Sequence, residues 1–487
     1  MTMGHVTDIP PTPVASLPQK FAAMLPTREL MGAVLGPLVG VAIWSLPLGL
    51  EPTIQKALAI IAFMVVYWIM EPIDYGITAL IGCYLFWALQ VTKFSVAFSG
   101  FVNSTPWFTF GALLLGEAVS RTNLAKRIGF FVMDRVGHSY ARLLLGIITL
   151  VWLLHFLIPS SNALLTTLAP LVIGLIAAFG VGPHSNVAKG LFVILTYTCS
   201  LFSKMLMASN SSILARGIIE EQTGTQLLWS QWFIAFLPAA LVTIGAAWLT
   251  VRWLYPPERE AIPGGKQFLR DALHEMGPWS WDEKKVLLWL LLATALWATD
   301  FAHHINPAVI AIGIGLVLSL PKVGVLDARA IKAVNFLSLI FIGGALSIGV
   351  VLTETKALNV LMDSLVRWMT PLLTSAFHAS VILYWANFFY HFLFGNELTV
   401  VSTSLPVLLK VADVQGYNPT TMGLIWAFAA GGKLFVYQHP VLVLGYSYGY
   451  FQGKDVLKVG AVLTLVEGLI LMGLVPLYWP LIGLPWR

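Results

Sequence analysis

Two polar clusters stand at matching places in an otherwise apolar chain. His155 to Pro170 reads HFLIPSSNALLTTLAP and His391 to Pro406 reads HFLFGNELTVVSTSLP, aligned without a gap. The first cluster holds Ser160, Ser161, Asn162, Thr166 and Thr167. The second holds Asn396, Glu397, Thr399, Ser402, Thr403 and Ser404. Hydroxyls, amides and one carboxylate are groups that bind small ions. Where helices begin at such clusters, their free N–H groups attract anions, while hydroxyl and carbonyl oxygens hold cations. The plainer alternative is that Ser and Thr only glue helices together. Two matched clusters favour a binding site, because broken polar segments in corresponding halves point to a transport site.

A second pair is Lys204, in SLFSKMLMASNSS, and Lys433, in AAGGKLFVYQHP. A lysine at mid-membrane costs at least ~2.5–3.5 kcal/mol on insertion scales, so it is rarely accidental. A lysine reaching to an interface is the plainer reading. Glu397 could pair with Lys433, take a proton or hold a cation. Asn210, Ser211 and His439, which follow the two lysine breaks, join Lys204, Lys433 and Glu397 as groups for coupling a cation or compensating charge. His155 and His391 open the two clusters and read first as hydrogen-bonded core residues. Glu117 and Asp300 read as lying near membrane ends.

The elements that must position these groups follow from hydropathy. The chain has 487 residues, 58% hydrophobic and 10% charged, against about 25% charged in a soluble domain. It reads as an all-α polytopic membrane protein. A span needs ~20 apolar residues. Eleven spans are expected, near 30–50, 54–70, 74–91, 104–120, 187–209 (continuing brokenly to about 220), 230–255, 285–301, 306–320, 328–352, 418–450 (again broken) and 457–483. Segments 140–180 and 375–411 are read as two re-entrant hairpins. Their breaks, Pro159-Ser160-Ser161-Asn162 and Gly395-Asn396-Glu397, are too polar for lipid and lack flanking Lys or Arg. The organisation expected is a tail at 1–29, a first half at 30–255, a linker at 256–284 with a dense charge run, and a second half at 285–487.

With the N-terminus inside, 19 of the 28 Lys and Arg fall inside and 7 outside, Lys204 and Lys433 aside, which obeys the positive-inside rule. An odd number of spans makes the repeat an inverted one. Phe108 to Val119 (FTFGALLLGEAV) and Phe341 to Leu352 (FIGGALSIGVVL) extend it, with small residues for close helix approach. Asn123 to Gly137 reads as an interfacial amphipathic helix, with Ala357 to Met369 its weaker counterpart. Cys83 and Cys199 read as small core residues. No secretory leader is read, and no nucleic-acid surface, because the basic residues sit between spans. His303-His304 is the one pair that suggests metal. With no His-Glu-x-x-His spacing, an enzyme is not expected, and the duplicated breaks favour alternating access over an open channel.

These segments resemble the divalent anion:sodium symporter family, which includes sodium-coupled dicarboxylate carriers and dicarboxylate exchangers. The likeness runs from about Leu30 to the C-terminus. It is strongest in Trp107–Gly137, the first tip with its Thr-Thr-x-x-Pro, Leu228–Pro238 (LWSQWFIAFLP) and Tyr448–Leu463 (YGYFQGKDVLKVGAVL). The resemblance implies a homodimer, an elevator-like motion, a di- or tricarboxylate substrate and sodium as a coupling ion. The family's tips carry Ser-Asn-Thr; here the first has Ser161-Asn162-Ala163 and the second Asn396-Glu397-Leu398. Lys204 and Lys433 stand in the broken helices opposite. A tethered ammonium in place of a mobile cation would keep the empty site cationic and favour exchange without sodium. The runner-up is a sodium- or proton-coupled symporter of a related anion such as sulfate. Removing Lys204 or Lys433 is expected to abolish anion binding; normal transport by either alanine variant would end this scheme.

Overall fold

Capping residues set where the helices start. Asp74, Asn103, Ser160, Ser185, Ser209, Ser280 and Asn396 each accept a backbone N–H from the first turn of the helix that follows, as short polar side chains do at such positions. In this computed structural model the described residues are 25–487 apart from 157, 159, 208, 264, 266 and 364–367. The tail up to residue 24, Pro159 of the first break, and Lys20, Lys266 and Arg367 of the charge count therefore lie outside them.

The chain is helical, with one isolated bridge, Ser139 to Ala261, among the described residues. The first half runs α1 Leu25–Ser45, α2 Pro52–Met70, α3 Tyr75–Ala88, α4 Ser104–Arg121, α5 Leu124–Val136, α6 Tyr140–Leu154, α7 Ser161–Phe179, α8 Asn186–Leu201, α9 Asn210–Thr223 and α10 Trp229–Leu254. The second runs α11 Gln267–Glu275, α12 Trp281–Ala298, α13 Pro307–Val317, α14 Phe336–Glu354, α15 Ala376–His391, α16 Glu397–Gln415, α17 Pro419–Ala429, α18 Pro440–Ser447 and α19 Gly453–Gly473. Short helical turns between these are left unnumbered. Six helices of the described residues are long and apolar enough to cross a membrane by length and composition. α8 with the turn that follows it, Asn186–Lys204, is one of the six, whereas α9, α17 and α18 fall short of that length, the broken spans being cut near Lys204 and Lys433.

The repeat is visible in the backbone. Arms α7 and α16 begin one residue after matching caps, Ser160 and Asn396, contain matching Pro170 and Pro406, and end at Gly180 and Gly416, both left-handed at φ +63° and +69°. A left-handed closing residue suits glycine, which has no Cβ to clash. Close packing recurs where it was expected: a Cβ at Gly111 would meet the backbone of Ala311 on α13, and one at Gly344 would meet Ala79 on α3. Of the weaker amphipathic counterpart, Ala357–Leu361 is helical, and residues 364–367 lie outside the described residues.

The linker fastens several helix ends. Glu258 accepts from the N–H groups of Asn186 and Val187 at the start of α8. Arg259 donates to the Phe179 carbonyl at the end of α7, at 2.9 Å. Tyr140 N donates to the Glu260 carbonyl at 2.8 Å. Arg127 of α5 is buried, pairs with Glu283 at 3.0 Å and donates to the carbonyls of Gly277 and Met276. Breaking a buried pair strands the remaining charge. Arg127→Ala is therefore expected to lower stability by about 3 kcal/mol, read as a lower thermal midpoint in detergent. A surface-like change below about 1 kcal/mol would contradict that role.

Candidate functional site

Four half-helices begin around one cavity. α7, α9, α16 and α18 start at Ser160, Ser209, Asn396 and His439, and all four caps line a space of about 160 Å³. Each cap closes on its own helix: Ser160 Oγ accepts Ala163 N at 3.4 Å, Ser209 Oγ accepts Ser212 N at 3.1 Å, Asn396 Oδ1 accepts Leu398 N at 2.9 Å and His439 Nδ1 accepts Val441 N at 3.1 Å. The first-turn amides of Ser161, Asn162, Asn210, Ser211 and Glu397 have no intrahelical acceptor, since a helix start leaves its first N–H groups free. Convergent N–H groups and the positive ends of helix dipoles make the cavity suited to an anion. Its opposite wall is Tyr75 of α3, Leu113 of α4, and Asn335 and Ser338 at the start of α14. Tyr75 Oη lies 3.2 Å from Ser338 Oγ.

The expected site residues divide into two sets. Ser160, Ser161, Asn162, Asn210, Ser211, Asn396, Glu397 and His439 line the cavity. Thr166, Thr399 and Ser402 do not, and neither do Thr167, Thr403 and Ser404. The Thr166 hydroxyl donates to the carbonyls of Asn162 and Ala163, Thr167 to Ala163, Ser402 to Thr399, Thr403 to Thr399 and Ser404 to Val400. Inside a helix a hydroxyl satisfies a carbonyl one turn back more readily than it reaches a ligand.

The lysines lie beneath the tips, where the two broken spans cross. Lys433 pairs with Glu397 and donates to the Gly431 carbonyl at 2.9 Å. Lys204 pairs with Glu467 of α19 at 2.6 Å, donates to the Phe428 carbonyl at 3.1 Å and sits 4.3 Å from the Phe428 ring centroid. Both ammonium groups thus rest on the carbonyl end of α17, the negative end of that helix. A Cβ at Gly431 would collide with the end of the Lys204 side chain and push it away from Glu467 and the Phe428 carbonyl. Glu397 also accepts from Ser211 Oγ at 2.9 Å, which ties the start of α16 to the start of α9. The carbonyls of the two lysines are taken by Trp232 Nε1, at 2.9 Å, and Tyr197 Oη, at 2.7 Å.

This corrects the expected charge balance. Glu467 supplies a second carboxylate, so two ammonium groups face two carboxylates and the formal sum is zero rather than cationic. A buried unpaired charge is too costly to keep, which is why each has a partner. Asp300 is fully buried just past the end of α12; it accepts from Trp229 N at 2.7 Å and caps α10. Glu117 lies partly exposed and pairs with Arg121 at 3.0 Å. His303 bonds the Leu296 carbonyl through Nε2 and accepts Ile305 N at Nδ1. Glu467, Ser209, Tyr75, Leu113, Asn335 and Ser338 are among the residues that the sequence reading missed. Of these, Glu467 had a readable signal, an acid alone in the apolar run of LTLVEGLI.

Comparison with known proteins places the chain in a family. The family described as the sodium:sulfate symporter transmembrane region matches residues 28–485. A protein of Cupriavidus necator known as a membrane protein is 28% identical, over 93% of this chain and 92% of its own length. Dicarboxylate transporter 1, chloroplastic, of Spinacia oleracea is 26% identical, over 92% of this chain and 80% of its own. Sodium-dependent dicarboxylate transporter SdcS of Staphylococcus aureus is 23% identical, over 94% and 92%. The crystal structure of the Alcanivorax borkumensis YdaH transporter shares the fold, with TM-score 0.55 and 15% identity over 94% of this chain and 99% of that one. The chain belongs to the divalent anion:sodium symporter family. It is an integral, multi-pass membrane protein and an anion transporter, not an enzyme.

Glu467→Ala is expected to destabilise the protein about as much as Lys204→Ala, by roughly 3 kcal/mol each. The double variant should lose less than the sum, because contacting residues are not additive. Thermal midpoints of the purified single and double variants check this; additive losses would mean the two side chains do not act as a pair.

Proposed function

We propose that this protein is a secondary carrier of di- or tricarboxylate anions that works by sodium-independent exchange. The observation that carries this reading is the pair of tethered ammonium groups on the carbonyl end of α17, one of them paired with the cavity's own Glu397. A carbonyl end beside an anion cavity is where a mobile cation would bind. Lys204 and Lys433 fill that role without being released at either side. No ion gradient is then consumed, and the anions alone set the direction of flux. The pairing with Glu467 removes the earlier reason for exchange, a cationic empty site. A different reason replaces it. An empty cavity holds several backbone N–H groups and hydroxyls without ligands, and such groups are costly to carry through a dry interior. A bound anion satisfies them, so the loaded form crosses more readily than the empty one.

The relatives from spinach and Staphylococcus that carry dicarboxylates support this substrate class. In the proposed cycle the tips travel with their cavity against the wall of α3 and α14 by an elevator-like motion, in a homodimer. The sodium dependence of the Staphylococcus relative favours a second reading, cation-coupled symport of a dicarboxylate, sulfate or a related anion.

Uptake of labelled succinate into proteoliposomes separates the two. Exchange predicts uptake that needs succinate or another carboxylate inside and ignores sodium. Uptake into empty vesicles driven by a sodium gradient would refute exchange and leave both lysines structural.

A further inference from the structure

The second broken span restarts at His439, and its imidazole caps the restart. Val441 N–H donates to His439 Nδ1 at 3.1 Å. A backbone amide can only donate, so Nδ1 presents a lone pair and the ring proton sits on Nε2. The ring is neutral in this arrangement. No hydrogen bond to a described residue occupies Nε2, and His439 lines the tip cavity. At the corresponding restart of the first broken span the cap is Ser209, whose hydroxyl can turn to donate or accept. An imidazole fixed at Nδ1 offers the cavity a donor only. The other two histidines near the breaks are placed differently: His155 lies against the Val151 and Cys199 carbonyls, and His391 Nε2 against the Gln438 carbonyl. Neither lines the cavity.

We infer that His439 is a specificity-determining donor that gives its neutral Nε2–H to a carboxylate oxygen of the bound anion. This rests on the proposal that the tip cavity holds the anion. The capping bond and the ligand bond use the two nitrogens of one ring, so the cap orients the donor before substrate arrives. A second proton can enter only at Nδ1, where it would face the Val441 N–H and break the cap. The charged and titratable groups facing the ring are Lys433 from the turn after α17, Glu397 from the start of α16 and His391 from α15. Lys433 opposes the second proton and Glu397 favours it.

The test compares wild type with His439→Ser, which keeps a hydroxyl cap of the kind Ser209 supplies but removes the Nε2 donor. Two readouts are taken: the KM for labelled succinate in exchange, and the thermal stabilisation of purified carrier by succinate, citrate and sulfate. The expected result is a wild-type thermal midpoint without ligand and a KM raised about tenfold with a much smaller change in maximal rate. His439→Thr serves if the serine variant does not fold. A variant with wild-type KM overturns the inference, while the anion cavity stands. So does a wild type that binds tighter in acid through His439, which would make the imidazolium the ligand. A wild type stabilised by none of the three anions refutes the anion cavity itself, and the inference with it.

Discussion

A half-helix that stops inside a membrane leaves its last carbonyls without partners, and in this protein everything near the site depends on what meets them. Lipid offers no hydrogen bonds, and water would have to be held at depth. At the end of α17 the answer is two ammonium groups, Lys204 on the Phe428 carbonyl and Lys433 on the Gly431 carbonyl. Each brings its own debt of charge. Glu467 and Glu397 settle it from α19 and from the tip of α16. The crossing of the broken spans, the glycine at position 431 and the placing of Glu397 beside the cavity all follow from that one satisfaction problem.

The opposite ends of the broken elements face a converse demand, because helix starts lack acceptors instead of donors. Four starts brought to one point concentrate that demand in a small space. Each cap answers only part of it, and the remaining amides are left for a ligand. The site is thus positive by dipoles at the tips and neutral by formal charge beneath them. That division matters for transport. The lysines can support the architecture of a cation-stabilised site while the anion itself is met by backbone amides, hydroxyls and the His439 ring. Ser211, hydrogen-bonded to Glu397, links the two levels.

Much of this was legible in the sequence. The two polar clusters predicted paired helix starts, and α7 and α16 begin and end in the same register, cap to closing glycine. The lysine breaks appeared where Lys204 and Lys433 stand. What was not legible was direction. Thr166 and Ser402 have the right chemistry, but on a regular helix their hydroxyls turn back to the preceding carbonyls, and Thr399 lies off the cavity. The wall of Tyr75, Asn335 and Ser338 belongs to other helices, and no local pattern marks residues that meet only through packing. Glu467 stands far along the chain from Lys204, so its pairing needs the fold. Its presence did not, because a lone acid in an apolar span calls for a cation.

The central claim is that the two buried ammonium groups take the place of a mobile cation. Its most direct test is succinate binding to purified Lys204→Ala and Lys433→Ala carriers, measured calorimetrically with choline and then with sodium as the only small cation. The account predicts that wild type binds equally in both, and that the variants lose binding in choline and recover part of it in sodium. Variants that bind succinate as tightly as wild type in choline would contradict it.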